Sequence, residues 1–191
     1  LRHERGAARP GYGLAVYAPD TGMIVGFLPC EDAHRHETKT AEKLWRNARP
    51  GELWVADRAF CTRSAAAALT AQKSHFVFRE AKSYPKPVAT GPAIAVATLA
   101  EGELLEQPVI RLLTNLPPED AGTEAVARLY RERWRIENAF QRLEIALEAE
   151  IKTLGHPKAA LLAMALALVG FNALTVVERH LETAHAERLN G

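Results

Sequence analysis

Cysteine is scarce in this chain. Cys30 and Cys61 are the only two among 191 residues, and no C-x-x-C occurs. That is too few for a disulfide framework and fits a reduced compartment with two packed thiols. A dominant charge sign is also missing. Lys and Arg number 24 against 23 Asp and Glu, a formal net charge of +1. A nucleic-acid partner would therefore have to be held by local patches. There is no Gly-rich phosphate loop and no G-x-S-x-G, so P-loop and serine-hydrolase chemistry have no support. The unbroken apolar and small-residue run Ala159 to Phe171 lies between Lys158 and Asn172. It is shorter than the roughly 20 residues a membrane span needs, so a buried core helix and no membrane partner are expected. Initiator Met and signal-peptide pattern are both absent, and Leu1-Arg2-His3-Glu4-Arg5 is charged. This opening reads as the interior of something longer, so a domain cut from a larger protein is expected.

Hydrophobic residues make up 48% of the chain, enough to bury the core of one domain of this length. Gly13 to Ala18 and Met23 to Leu28 read as strands joined by the turn Pro19-Asp20-Thr21-Gly22, a hairpin that Pro29 closes. Glu37 to Ala48 has helical character, stopped by Pro50-Gly51. Leu53-Trp54-Val55-Ala56 is a short apolar run of the kind that forms a strand buried on both faces. Thr62 is placed to cap an Ala-rich helix from Arg63 to about Lys73. His75 to Arg79 alternates like a strand. Residues 82–122, broken by Pro and Gly, read as an irregular or small β insertion ending in a strand near Val109–Leu113. Thr123 is placed to cap a long helix over 124–149. After Gly155-His156-Pro157 an apolar helix follows over 157–178. The order predicts an α/β domain with a mixed sheet flanked by helices.

Two places carry chemistry. Asp57 ends the apolar strand, where Asp is disfavoured inside a strand and where open α/β sheets bind ligands. Arg58 beside it gives the structural alternative, a neutralising neighbour. In the long helix, Tyr130, Arg133 and Glu137 fall within roughly 60° of one another at 3.6 residues per turn. The apolar stripe Leu129, Ile136, Phe140, Leu143 and Leu147 runs beside them, so this trio should border a cleft. The plain alternative is a solvated face with an Arg–Glu pair. Two carboxylates brought together repel unless a proton or cation lies between them. Hard oxygen donors suit Mg²⁺ or Mn²⁺, and a two-metal site stabilises both the attacking and the leaving oxygen of phosphoryl transfer. Arg133 could hold a phosphate by its planar fork; Tyr130 could hydrogen-bond a phosphate or stack on a base.

These residues resemble a family. Y-x2-R-x3-E is the core of the YREK signature of bacterial insertion-sequence DDE transposases, the insertion-sequence-four group. Leu53-Trp54-Val55-Ala56-Asp57-Arg58-Ala59-Phe60-Cys61-Thr62 looks like the family's segment around its second acid. Tyr130-Arg131-Glu132-Arg133-Trp134-Arg135-Ile136-Glu137 looks like the segment carrying its final Glu. The insertion, Leu112-Leu113-Thr114-Asn115-Leu116 and Phe171-Asn172-Ala173-Leu174 also fit. The resemblance implies a ribonuclease-H-like catalytic core acting on DNA in the bacterial cytoplasm, nucleoid-associated when bound. Three acids would hold two divalent ions, Mg²⁺ or Mn²⁺, to cut transposon ends and join them to target DNA. Asp57 would be the second acid and Glu137 the third, both metal ligands. Tyr130 and Arg133 would contact DNA, and the intact enzyme would work as a homodimer.

The resemblance implies a first acid on a first core strand, which this chain is expected to start too late to include. Neither Asp20, in the hairpin turn, nor Asp32, after it, is a sound substitute. A catalytic-domain fragment without its first strand, inactive alone, is therefore expected. The signature's Lys is replaced by Glu144, and Lys152 lies too far along the helix to stand in. A non-catalytic DNA-binding remnant is the alternative. Arg128, Arg131, Arg135 and Arg142 could form a phosphate-facing patch, although Glu132, Glu148 and Glu150 dilute it to a mixed face. His34, His36 and Glu37 lack a third partner at metal-binding spacing. Trp45 and Trp134 read as packing residues.

Overall fold

The computed structural model describes residues 11–80, 95–99, 110–147 and 156–189. Most of the expected insertion, together with Glu148, Glu150 and Lys152, lies outside them. In chain order the elements are β1 (Tyr12–Ala18), β2 (Met23–Cys30), α1 (Glu37–Arg46), β3 (Leu53–Ala56), a 3₁₀ turn (Arg58–Phe60), α2 (Arg63–Ala71) and β4 (His75–Arg79). They continue with β5 (Ala95–Leu99), β6 (Ile110–Thr114), α3 (Thr123–Arg131), α4 (Trp134–Leu147) and α5 (Pro157–Leu189). The length suits one domain, yet the chain divides into two compact units: residues 36–134, and residues 1–35 with 135–191. Each has its own apolar cluster, which is why they separate.

The unit of residues 36–134 is built on a four-stranded sheet in the order β3-β4-β6-β5. β3 runs parallel to β4, while β6 is antiparallel to both β4 and β5, so the sheet is mixed. β4 is buried on both faces. Phe76 and Phe78 stack with ring centroids 4.9 Å apart, and Trp45 of α1 meets Phe78 at 5.9 Å and Trp54 at 5.3 Å. On the opposite face Val77 joins Leu112, Val126 and Tyr130, with Val55 packed against them. Alternation along the strands separates the two sets: Trp54 and Phe76 pair in register, as do Val55 and Val77. Helix α1 thus covers one face and α3 the other.

Local chemistry sets the ends of these elements. Thr62 caps α2 through its hydroxyl, which accepts from Ala65 N–H at 3.1 Å. Asn115, just past β6, accepts from Phe76 N–H at 2.8 Å and donates to Ser74 C=O at 3.0 Å, tying the start of β4 to the end of β6.

In the other unit β1 and β2 form an antiparallel two-stranded sheet. Gly22, at φ +69, supplies the turn conformation other residues resist, and its N–H returns to Ala18 C=O at 2.8 Å. Pro29, expected to close the hairpin, lies inside β2 opposite Gly13. A strand in a two-stranded sheet has an edge where a missing N–H goes unnoticed. Ile24 packs with Ala139 of α4 and with Leu168 and Phe171 of α5. Asn172 locks this arrangement: it accepts from Ile24 N–H at 2.9 Å and donates to Ile24 C=O at 2.8 Å.

The expected single helix over 124–149 is two. Backbone N–H groups of Glu132 and Arg133 bond to the carbonyls three residues back, Leu129 and Tyr130, so α3 tightens into a 3₁₀ end and stops. Gly122 occupies its N-cap position without a side-chain bond, and Thr123 is already helical. Helix α5 runs past 178 to Leu189. It is also less enclosed than a core helix. Leu161, Leu168, Phe171 and Thr175 are buried, whereas Leu162, Leu166, Val169, Val176 and Val177 are exposed. By length and composition alone its stretch Pro157–His185 could cross a membrane.

Candidate functional site

The strand alternation that puts Val55 on the α3 side of the sheet puts Asp57 there too, two residues on. β3 ends at Ala56, and Asp57 serves as N-cap of the 3₁₀ turn. Its Oδ1 accepts from Arg58 N–H at 2.7 Å. The residue read as a neutralising neighbour therefore contributes its backbone N–H to the carboxylate. Such a bond fixes the side-chain direction.

Opposite lies Tyr130. Val126 and Tyr130, one turn apart on α3, share the helix face that packs on Val77 and Leu112. The ring is 3% exposed, and its hydroxyl donates to Asp57 Oδ1 at 3.3 Å. Burial pushes the Tyr130 pKa above its ordinary 10.0. Arg133, by charge and by a hydrogen bond, pulls the other way, and the Asp57 charge adds to the rise. The phenol therefore keeps its proton at neutral pH and acts as the donor to the carboxylate. The Arg133 guanidinium stands 5.5 Å from the Tyr130 ring centroid and 5.2 Å from the Trp134 ring, inside cation–π range.

The structure thus brings Asp57, Tyr130 and Arg133 together in one unit. Glu137 is half-buried in the first turn of α4, in the other unit. The idea of one continuous helical stripe through Tyr130, Arg133 and Glu137 is corrected by the break at Glu132–Arg133. Tyr130 sits with Val126 on the buried face of α3, and not beside it. With its ring in the core, only the hydroxyl is offered to the site, which leaves no face for base stacking in this conformation. Trp134, read as a packing residue, is 51% exposed and shares the Arg133 cation with Tyr130. Glu144 lies exposed on α4.

Hard cations take several oxygen ligands. Asp57 has the right donor type, and a carboxylate offers about four lone-pair sites, of which two are used here. No cluster of three Asp, Glu, His or Cys side chains that could hold a metal ion occurs among the described residues. The donor chemistry fits Mg²⁺ or Mn²⁺, while the count within the described residues does not complete a coordination shell.

The class is a mixed α/β unit with an acid at a strand end that accepts from the Arg58 N–H and from the hydroxyl of a tyrosine on a following helix. The family is specific: the model of the transposase DDE domain matches residues 2–169, and the chain belongs to that family. Transposition of DNA, with DNA as partner and divalent metal ions as the family's usual cofactor, follows from that membership. No curated protein matches the chain.

Proposed function

We propose that this chain contributes the second and third acids, Asp57 and Glu137, to a ribonuclease-H-like site that cleaves and rejoins transposon DNA. It would do so as a member of the insertion-sequence-four group, in the bacterial cytoplasm, as a dimer on DNA. The observation that carries the reading is the hydrogen-bonded carboxylate of Asp57 at the end of β3, with Tyr130 and Arg133 behind it. When bound, Mg²⁺ or Mn²⁺ would polarise the scissile phosphate and lower the pKa of an attacking water. The chain's own residues do the rest. Arg58 N–H and the Tyr130 hydroxyl keep Asp57 aimed, and Arg133 steadies Tyr130. On this reading Tyr130 positions an acid, and Arg133 adds positive potential for the phosphate backbone.

The test compares Asp57→Asn and Glu137→Gln with the unaltered sequence, each carried in a transposase that supplies the first acid, on end-bearing duplex DNA in Mn²⁺. Each substitution is expected to lower cutting at least a hundredfold while DNA affinity in EDTA stays within about twofold, the pattern of a lost transition-state interaction. Unimpaired cutting by either variant overturns that residue's role. Tight DNA binding with no cutting by the unaltered protein favours a non-catalytic binding remnant.

A further inference from the structure

Away from Asp57, the unit containing the hairpin holds a cavity of about 110 Å³ lined by Tyr17, Arg135, Asn138, Ala139, Arg142 and Phe171. Arg135, Asn138 and Arg142 are spaced three and four apart on α4, so they share one helix face. Tyr17 comes from β1. Phe171 and Ala139 are buried and form an apolar floor, and the remaining four side chains all carry N–H or O–H donors. Arg135 is tied back through Nη1 to Pro19 C=O at 3.3 Å, which holds it at the cavity wall. Arg142 Nη2 meets both Glu178 oxygens, at 2.7 and 2.5 Å. Glu178 raises the Arg142 pKa first by that hydrogen bond and then by charge, and Tyr17 adds to the rise.

We propose that this cavity is a phosphate-backbone subsite for duplex DNA, separate from the acids, with Glu178 occupying Arg142 until DNA arrives. Size sets the class of ligand. At about 30 Å³ per water the space holds roughly four waters. It is well below the roughly 300–1,000 Å³ that buries an organic ligand, and it has room for a tetrahedral oxyanion. Chemistry sets the sign: two guanidiniums, an amide and a phenol converge, and arginine forks match phosphate oxygens. Arg135, Asn138 and Arg142 are all exposed, so a polyanion can reach them without rearranging the fold. The choice of DNA over a free anion rests on the DNA-handling reading above. Glu178 makes the site conditional, because the incoming phosphate must displace one carboxylate.

The test is duplex binding by fluorescence anisotropy in EDTA across a salt series, where cleavage plays no part. Arg135→Ala and Arg142→Ala are each expected to weaken binding about tenfold at low salt. Each should also reduce the slope of log K against log salt by roughly one, the contribution of one phosphate. Glu178→Gln is expected to tighten binding severalfold, a gain that misfolding cannot produce. Arg variants with unchanged affinity and slope overturn the proposal while leaving the acids' role standing. No DNA binding by the unaltered protein removes the DNA partner itself. Inorganic phosphate bound by the protein and lost in Arg142→Ala, with duplex affinity unaltered, identifies a free-anion site and overturns the DNA assignment.

Discussion

Tyr130 shows how one side chain serves two masters. Its ring closes the cluster of Val77, Ile110, Leu112 and Val126, and its hydroxyl reaches Asp57. Tyr130→Phe keeps the ring and loses the hydrogen bond, so the fold should survive with about 0.5–1.5 kcal/mol less stability near neutral pH. Urea titration measures this. The pH dependence has a definite sign. Folded Tyr130 holds its proton more tightly than unfolded Tyr130 does, since its pKa lies above 10.0. Its contribution is complete below pH 10.0 and falls away as pH rises through the folded value. Tyr130→Phe should therefore flatten the loss of stability between pH 10 and more alkaline conditions; equal slopes for the two proteins would refute it. The place of Asp57 at the end of β3 was legible in the sequence, because a charged residue ending an apolar strand is unusual. The burial of Tyr130 was not, because the spacing that put it beside Arg133 assumed an unbroken helix.

Among the elements, the bounds of β3 and β4 were readable to the residue, since short apolar runs between turns leave few alternatives, but β3, expected to be buried on both faces, lies at the sheet edge and is only part-buried. The α3–α4 junction was not readable. Arg131-Glu132-Arg133-Trp134 holds neither Gly nor Pro, and these residues favour a helix well enough alone. Local propensity does not reveal where α3 stops. The inner face of α5 was visible in part, since Leu161, Leu168 and Phe171 stand at helical spacing, but its exposed side ran against the expected core helix. Asn172 carries a prediction at this scale. Asn172→Ala strips two hydrogen bonds from Ile24 and leaves a partly buried N–H and C=O to find other partners. It should cost about 1–3 kcal/mol and raise exchange at the Ile24 amide first, which hydrogen exchange followed by mass spectrometry resolves. An unchanged exchange rate there would show that Asn172 does not hold the strand.

For the molecule as a whole, the two units carry apolar clusters with no residue in common. Leu112 is fully buried in one of them. Leu112→Ala should cost about 2–5 kcal/mol through lost burial and the cavity left behind. The loss should be felt in β4, β6 and α3, with β2 and α5 keeping their protection, the signature of separate cooperative units. Uniform loss across all five elements would instead mean one cooperative unit. The sequence's length and apolar content argued for a single domain, because composition counts core residues and does not say how many clusters they form.

The Asn172 clip has a mechanical side. Helix α5 has 33 residues, roughly 50 Å at 1.5 Å per residue, and Asn172 grips strand β2 close to its midpoint. A rod gripped there resists sliding, since any axial slip breaks both bonds to Ile24 at once. Towards its C-terminal end Glu178 on Arg142 and Arg179 on Asp20 add a second hold, so the helix is clamped in two places and resists pivoting as well.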